Sequence, residues 1–195
     1  MKTHILLFIE GETEDVLFPA IIQYFRVNHK CQDVEFHFKN LRGIGNYKGK
    51  AKGILHDTLN KVNKSGDVLK VVICSYDSDV FEYNHNPPID WKSLKRDLEN
   101  ITKSKNIILM PSIHSIEDWL LSDIDGLCNY LKAKKPRNLP GKNGHEKIKH
   151  LFKLHNKVYY KGYDSENIIA RLDIGKIIKA HKAELKPIYE VLGIK

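Results

Sequence analysis

Three acidic residues stand directly after apolar runs. Glu10 closes Ile5-Leu-Leu-Phe-Ile9, and Asp77 and Asp79 close Val71-Val-Ile-Cys-Ser-Tyr76. A short continuous apolar run reads as a buried strand. In a parallel αβ sheet, ligands bind beyond the carboxyl ends of the strands. If the two strands are neighbours, all three acids converge on one edge. Asp77 and Asp79 are two residues apart, so an extended backbone points both side chains the same way. Carboxylates gathered in one crevice repel each other until protons or a cation neutralise them. Oxygen ligands without His or Cys favour Mg²⁺ or Mn²⁺ over zinc. Mg²⁺ bound by few protein carboxylates keeps room for substrate phosphate, which is the chemistry of phosphoryl transfer. Acids at strand ends also cap helices or face water, so each motif alone is weak and their order along the chain carries the signal.

The elements that must position these acids follow from periodicity. The run from His4 to Ile9 is the first strand, and Thr13 can cap a helix carrying Val16, Leu17, Ile21, Ile22 and Phe25. Pro19 either kinks that helix or begins its main part. Val34–Phe38 alternates as a second strand, and Ala51–Asn63 puts Ile54, Leu55, Leu59 and Val62 on one helix face. Val68–Tyr76 is the third strand, Trp91–Thr102 a helix, Asn106–Met110 a fourth strand ended by Pro111, and Ile113–Leu121 a short helix. Residues 84–90 read as a loop, and only helices and loops follow residue 124. The expected fold class is α/β: a mainly parallel four-stranded sheet with flanking helices and a helical C-terminal extension. The expected division is a catalytic domain over residues 1–123 and a basic helical extension over 124–195 packed on it.

Ile5-Leu-Leu-Phe-Ile-Glu-Gly-Glu-Thr-Glu14 followed by Val71-Val-Ile-Cys-Ser-Tyr-Asp-Ser-Asp79 resembles a Toprim domain, the Rossmann-like unit of topoisomerases, primases and certain nucleases. The form Glu-Gly-x-Thr-Glu is most similar to OLD-type nucleases and small stand-alone RloB-like proteins. Ser115-Ile-Glu-Asp-Trp-Leu-Leu121 resembles the later helix of those relatives. The resemblance covers roughly residues 4–123. It implies a metal-dependent endonuclease in which Glu10 is a general base or metal ligand and Asp77 and Asp79 hold metal. Glu14 and Glu117 would add ligands for a second metal. Asp118 rivals Glu117, and because adjacent helix residues point about 100° apart, one of the two faces the site. The implied setting is phage-related defence or nucleic-acid processing. The chain lacks the P-loop ATPase of OLD proteins, so any ATPase would act in trans. No tyrosine motif marks a topoisomerase nucleophile.

The remaining charge pattern suits a polyanionic partner. Of the net +8, residues 126–195 contribute +10, from 16 Lys/Arg and 6 Asp/Glu, while residues 1–125 contribute −2. The tract Lys132, Lys134, Lys135, Arg137, Lys142, Lys147, Lys149, Lys153, Lys157 and Lys161 is interleaved with His145, His150, His155, Tyr159 and Tyr160. It reads as phosphate contact with aromatic stacking, or as the solvated face of helices whose core is Ile148, Leu151, Phe152 and Leu154. Lys142, among glycines, is the candidate for a lysine that stabilises transition-state charge. Gly43-Ile-Gly-Asn-Tyr-Lys-Gly-Lys50 follows a strand and precedes a helix, so its amides with Lys48 and Lys50 could grip phosphate. It is neither a Walker A nor a GxGxxG motif, and a plain loop fits it as well. His114 could assist proton transfer or simply pack.

Length and composition suit a globular chain of one domain, with 42% hydrophobic and 29% charged residues. No apolar run reaches the roughly 20 residues of a membrane span, and the N-terminus reads as a strand rather than a signal peptide. Cys31, Cys74 and Cys128 lie far apart, which argues against a disulfide framework and structural zinc and for a reducing cytoplasm. The expected function is a Mg²⁺- or Mn²⁺-dependent nuclease on DNA or RNA. The alternatives are a non-catalytic nucleic-acid-binding module and a nucleotide phosphohydrolase, although a haloacid-dehalogenase-type phosphatase would carry its DxD after the first strand.

Overall fold

The computed structural model describes residues 1–78 and 89–194. Asp79 and most of the 84–90 loop reading lie outside the described residues. The four expected strands are present as β1 (Thr3–Ile9), β2 (Val34–Asn40), β3 (Val68–Asp77) and β4 (Ile107–Ser112). They form one sheet in the order β2-β1-β3-β4, and every pair is parallel. The fold class is therefore the expected α/β class, with β1 and β3 adjacent at the centre.

Strand alternation divides the core in two. Ile5, Leu7 and Ile9 of β1 join Val71 and Ile73 of β3 on one face, beneath α1 (Glu12–Asn28). Leu6 and Phe8 join Val72 and Cys74 on the other face, beneath α2 (Asn46–Lys64) and α3 (Trp91–Thr102). The C-terminal helices are α4 (Ile116–Leu121), α5 (Ile124–Leu131), α6 (Gly144–Lys153), α7 (Ser165–Ile169), α8 (Ile174–Ala180) and α9 (Lys186–Leu192). Their buried residues, among them Leu127, Ile148, Leu151, Ile177 and Leu192, belong to the same core as α1 and its sheet face. The tail thus shares the core of the sheet.

Some boundaries differ from the sequence reading. Gly11, not Thr13, occupies the N-cap of α1, and the helix runs unbroken through Pro19. Thr13 is buried, with its hydroxyl 3.4 Å from that of Ser165. Helix α2 begins at Asn46, about five residues early, because buried Tyr47 extends the apolar stripe of Ala51 and Leu55 back one turn. The Tyr47 hydroxyl donates to the Ser75 carbonyl at 2.5 Å and to the Phe8 carbonyl at 3.3 Å, tying α2 to the ends of β1 and β3. β4 continues through Pro111, which an edge strand accommodates because no ladder partner needs its missing N–H. His114 follows with φ +63°, so α4 starts only at Ile116. The three cysteines are free thiols. Among the described residues, no helix is long and apolar enough to cross a membrane.

Candidate active site

Strand β1 delivers Glu10 to the carboxyl edge of the sheet, and the neighbouring β3 delivers Asp77 beside it. The Asp77 backbone N–H donates to Glu10 Oε1 at 3.1 Å, so the two strand ends are joined through the glutamate side chain. Asp77 is 3% exposed. Its Oδ1 accepts from the Ile116 backbone N–H at 2.9 Å, which docks the start of α4 on the site. Its Oδ2 accepts from Lys161 Nζ at 2.9 Å.

Glu14 lies in the first turn of α1 and is 2% exposed, with its carboxylate folded back against Gly11. Among the described residues, buried Glu14 Oε2 has no hydrogen-bond partner. Glu117, on α4, is 1% exposed. Its Oε1 accepts from the Tyr159 hydroxyl at 3.2 Å and lies 3.5 Å from His145 Nδ1, and its Oε2 is 3.6 Å from Lys161 Nζ. Asp118 turns away and accepts from its own helix cap, Ser115 Oγ, at 3.0 Å. Of the two neighbours, Glu117 is therefore the one that faces the crevice.

Four carboxylates thus meet at one edge, three of them nearly inaccessible to water. Burial, followed by the nearby Asp77 charge, pushes the Glu10 carboxyl up from 4.5 to about 8. The same two causes in the same order raise Glu14 to about 7. Desolvation opposes the charge on Lys161, yet Asp77 and Glu117 outweigh it and hold the ammonium protonated above its ordinary range. Burial and the Glu117 charge push the Tyr159 phenol well above its ordinary value, so it remains a hydrogen-bond donor. No three of the four carboxylates bring oxygens within 4.8 Å of one another, and the Lys161 ammonium stands between Asp77 and Glu117.

The lysine at the site was not distinguished by sequence reasoning. Lys161 was one of ten in the basic tract, whereas Lys142 is exposed and donates its backbone N–H to Glu146. Lys161 sits just before Gly162, whose φ of +82° and close approach to Glu12 make the turn that returns the lysine to the sheet. A cavity of about 350 Å³ opens beside Glu10, lined by Asn40, Arg42, Gly43 and Lys161 among others. Lys48 and Lys50 are helical rather than in a loop and do not line it. Lys48 faces α3, beside Asp90 and Asp97, and Lys50 Nζ reaches the Leu41 carbonyl at 3.5 Å. Lys134, Lys135 and Arg137 are exposed between α5 and α6, with Lys135 paired to Asp125 at 3.1 Å. Tyr159 and His145, which read as stacking groups, instead touch Glu117. The His114 backbone N–H donates to Ser78 Oγ at 2.9 Å.

No family model and no curated protein matches the chain. Among solved structures it is similar to the C-terminal region of the Burkholderia pseudomallei OLD protein, with 11% identity and a TM-score of 0.47 over 96% of this chain and 97% of that one.

Proposed function

We propose that this chain is a divalent-metal-dependent nuclease that hydrolyses phosphodiester bonds of DNA or RNA. The observation that carries this reading is the gathering of Glu10, Glu14, Asp77 and Glu117 at the carboxyl edge of β1 and β3, with Lys161 among them. Carboxylates buried beside one another, with two of them raised well above the usual range, cluster at functional sites.

The donor chemistry suits a hard cation, and seating one requires Lys161 to leave Asp77 and the carboxylates to draw together. The donors are all carboxylates, and buried Glu14 Oε2 has no hydrogen-bond partner among the described residues. Glu10, Glu14, Asp77 and Glu117 would hold Mg²⁺ or Mn²⁺, with Asp79 as a further ligand from outside the described residues. When bound, the metal supplies charge neutralisation at phosphate and a more acidic water. Glu10, on the open side of the cavity, takes the proton of the attacking water at its carboxylate. Lys161 is 44% exposed along its side chain, so its ammonium can leave Asp77 and meet the negative charge that builds on phosphate. Tyr159 and His145 fix the orientation of Glu117. Arg42 at the cavity and the exposed Lys134, Lys135, Arg137 and Lys142 would contact the nucleic-acid backbone.

The test is incubation of the whole chain with single- and double-stranded DNA and RNA in Mg²⁺, Mn²⁺ or EDTA. Cutting that needs the cation and stops in EDTA supports the reading and names the substrate class. Salt-sensitive binding without cutting on any substrate would replace it with a non-catalytic binding module.

A further inference from the structure

A second polar cluster lies at the opposite end of the same strands. His4 of β1 pairs in register with Glu35 of β2, and His37 is two residues further along β2, so all three side chains share the α2 face of the sheet. His4 Nδ1 is 2.8 Å from His37 Nε2 and 4.0 Å from Glu35 Oε2. One ligand atom from each of His4, Glu35 and His37 falls within 4.8 Å of the others, and they are the group so arranged among the described residues. Glu10, six residues along from His4, is about 20 Å away at the rise of an extended strand.

A fourth residue decides how the lone pairs point. His4 Nε2 is 3.2 Å from Asp67 Oδ2, and Asp67 Oδ1 accepts from the Lys2 backbone N–H at 2.6 Å. A carboxylate only accepts, so His4 carries its proton on Nε2 and turns a bare Nδ1 lone pair toward His37 and Glu35. This is the carboxylate–histidine arrangement that fixes the tautomer of a metal-binding imidazole. His4 is buried, whereas Glu35 is exposed on an edge strand, so the cluster has both a fixed inner ligand and access from solvent.

The geometry points to a divalent transition-metal site made by His4 Nδ1, His37 Nε2 and a Glu35 carboxylate oxygen, with Asp67 holding His4. Two imidazoles and one carboxylate suit Zn²⁺, Co²⁺ or Ni²⁺ and disfavour Mg²⁺, so this site and the carboxylate site select different ions. With metal–nitrogen bonds of about 2.0–2.1 Å in a tetrahedral site, the two nitrogens must move apart by about half an ångström. The ion replaces the proton shared between the imidazoles, and a water completes its shell. Binding fastens edge strand β2 to β1 and, through Asp67, to the loop before β3.

The test is a Co²⁺ titration of the full chain carrying Asp77→Asn, which weakens the competing carboxylate site, read by visible d–d absorption and repeated by Zn²⁺ displacement. The expected result is one saturable equivalent with a low-symmetry cobalt spectrum. Adding His37→Gln or Glu35→Gln should weaken binding by at least about tenfold, and Asp67→Asn by about 10–100-fold. Glu35 is exposed, so its variant keeps the fold and separates ligand loss from unfolding. Equal cobalt affinity with and without His37→Gln and Glu35→Gln, or no saturable absorption, would overturn the site.

Discussion

Glu14→Gln should stabilise the metal-free protein in alkaline solution. The substitution keeps the shape of a side chain that is 2% exposed and removes its charge. Burial and Asp77 raise the Glu14 carboxyl from 4.5 to about 7. A carboxyl whose folded value is raised favours folding below its unfolded value, and that advantage disappears as pH climbs through the folded value. The shift is equivalent to at most about 3 kcal/mol, and sharing with Glu10 and Asp77 leaves roughly 1–3 kcal/mol for this residue. In EDTA at pH 8.5 the variant should therefore melt about 3–10 °C above wild type, whereas at pH 5 the two should nearly coincide. Mg²⁺ should narrow the gap by stabilising wild type more than the variant. Thermal and urea unfolding at both pH values, with and without Mg²⁺, measures all four states. A variant no more stable than wild type at pH 8.5 in EDTA would refute the claim that Glu14 is a buried, uncompensated charge.

Two further substitutions address the cations. Lys161→Met leaves Asp77 and Glu117 without their shared ammonium, so the metal-free melting temperature at pH 8.5 should fall and cleavage should slow by roughly 10²–10³-fold with Mg²⁺ present. Unchanged cleavage in single-turnover assays would remove Lys161 from the mechanism. The triple change Lys134→Glu, Lys135→Glu and Arg137→Glu should weaken nucleic-acid binding across sequences and reduce the slope of log affinity against log salt by about 2–3. An unaltered slope in fluorescence anisotropy would place the contact surface elsewhere.

The acids at strand ends were legible because buried parallel strands write themselves as apolar runs, and Glu10 and Asp77 terminate two of them. The sheet order that makes β1 and β3 neighbours is an αβ habit rather than a motif, and the structure supplies it directly. Helix α2 was misjudged at its start because Gly43, Gly45 and Gly49 look like a loop, while Tyr47 outweighs them by burying a full ring against the strand ends. The choice between Glu117 and Asp118 depends on helix phase, which Ile116 and Trp119 fix by packing inward. Lys161 was invisible as an individual, because nothing local marks which of the tract's nine lysines a distant turn will return to the sheet. His4 and His37 were likewise unremarked, since their meeting depends on the register of β1 against β2.

The most direct measurement is single-turnover cleavage of a nucleic-acid substrate by wild type and Asp77→Asn in Mg²⁺ or Mn²⁺, with affinity for that substrate determined in parallel. Asparagine can still accept from Ile116, so the fold should hold, as circular dichroism would confirm. The account predicts cation-dependent cutting by wild type, and in Asp77→Asn a loss of at least about 10²-fold with binding retained. Equal cutting by the two proteins, or cutting that survives EDTA, would contradict it.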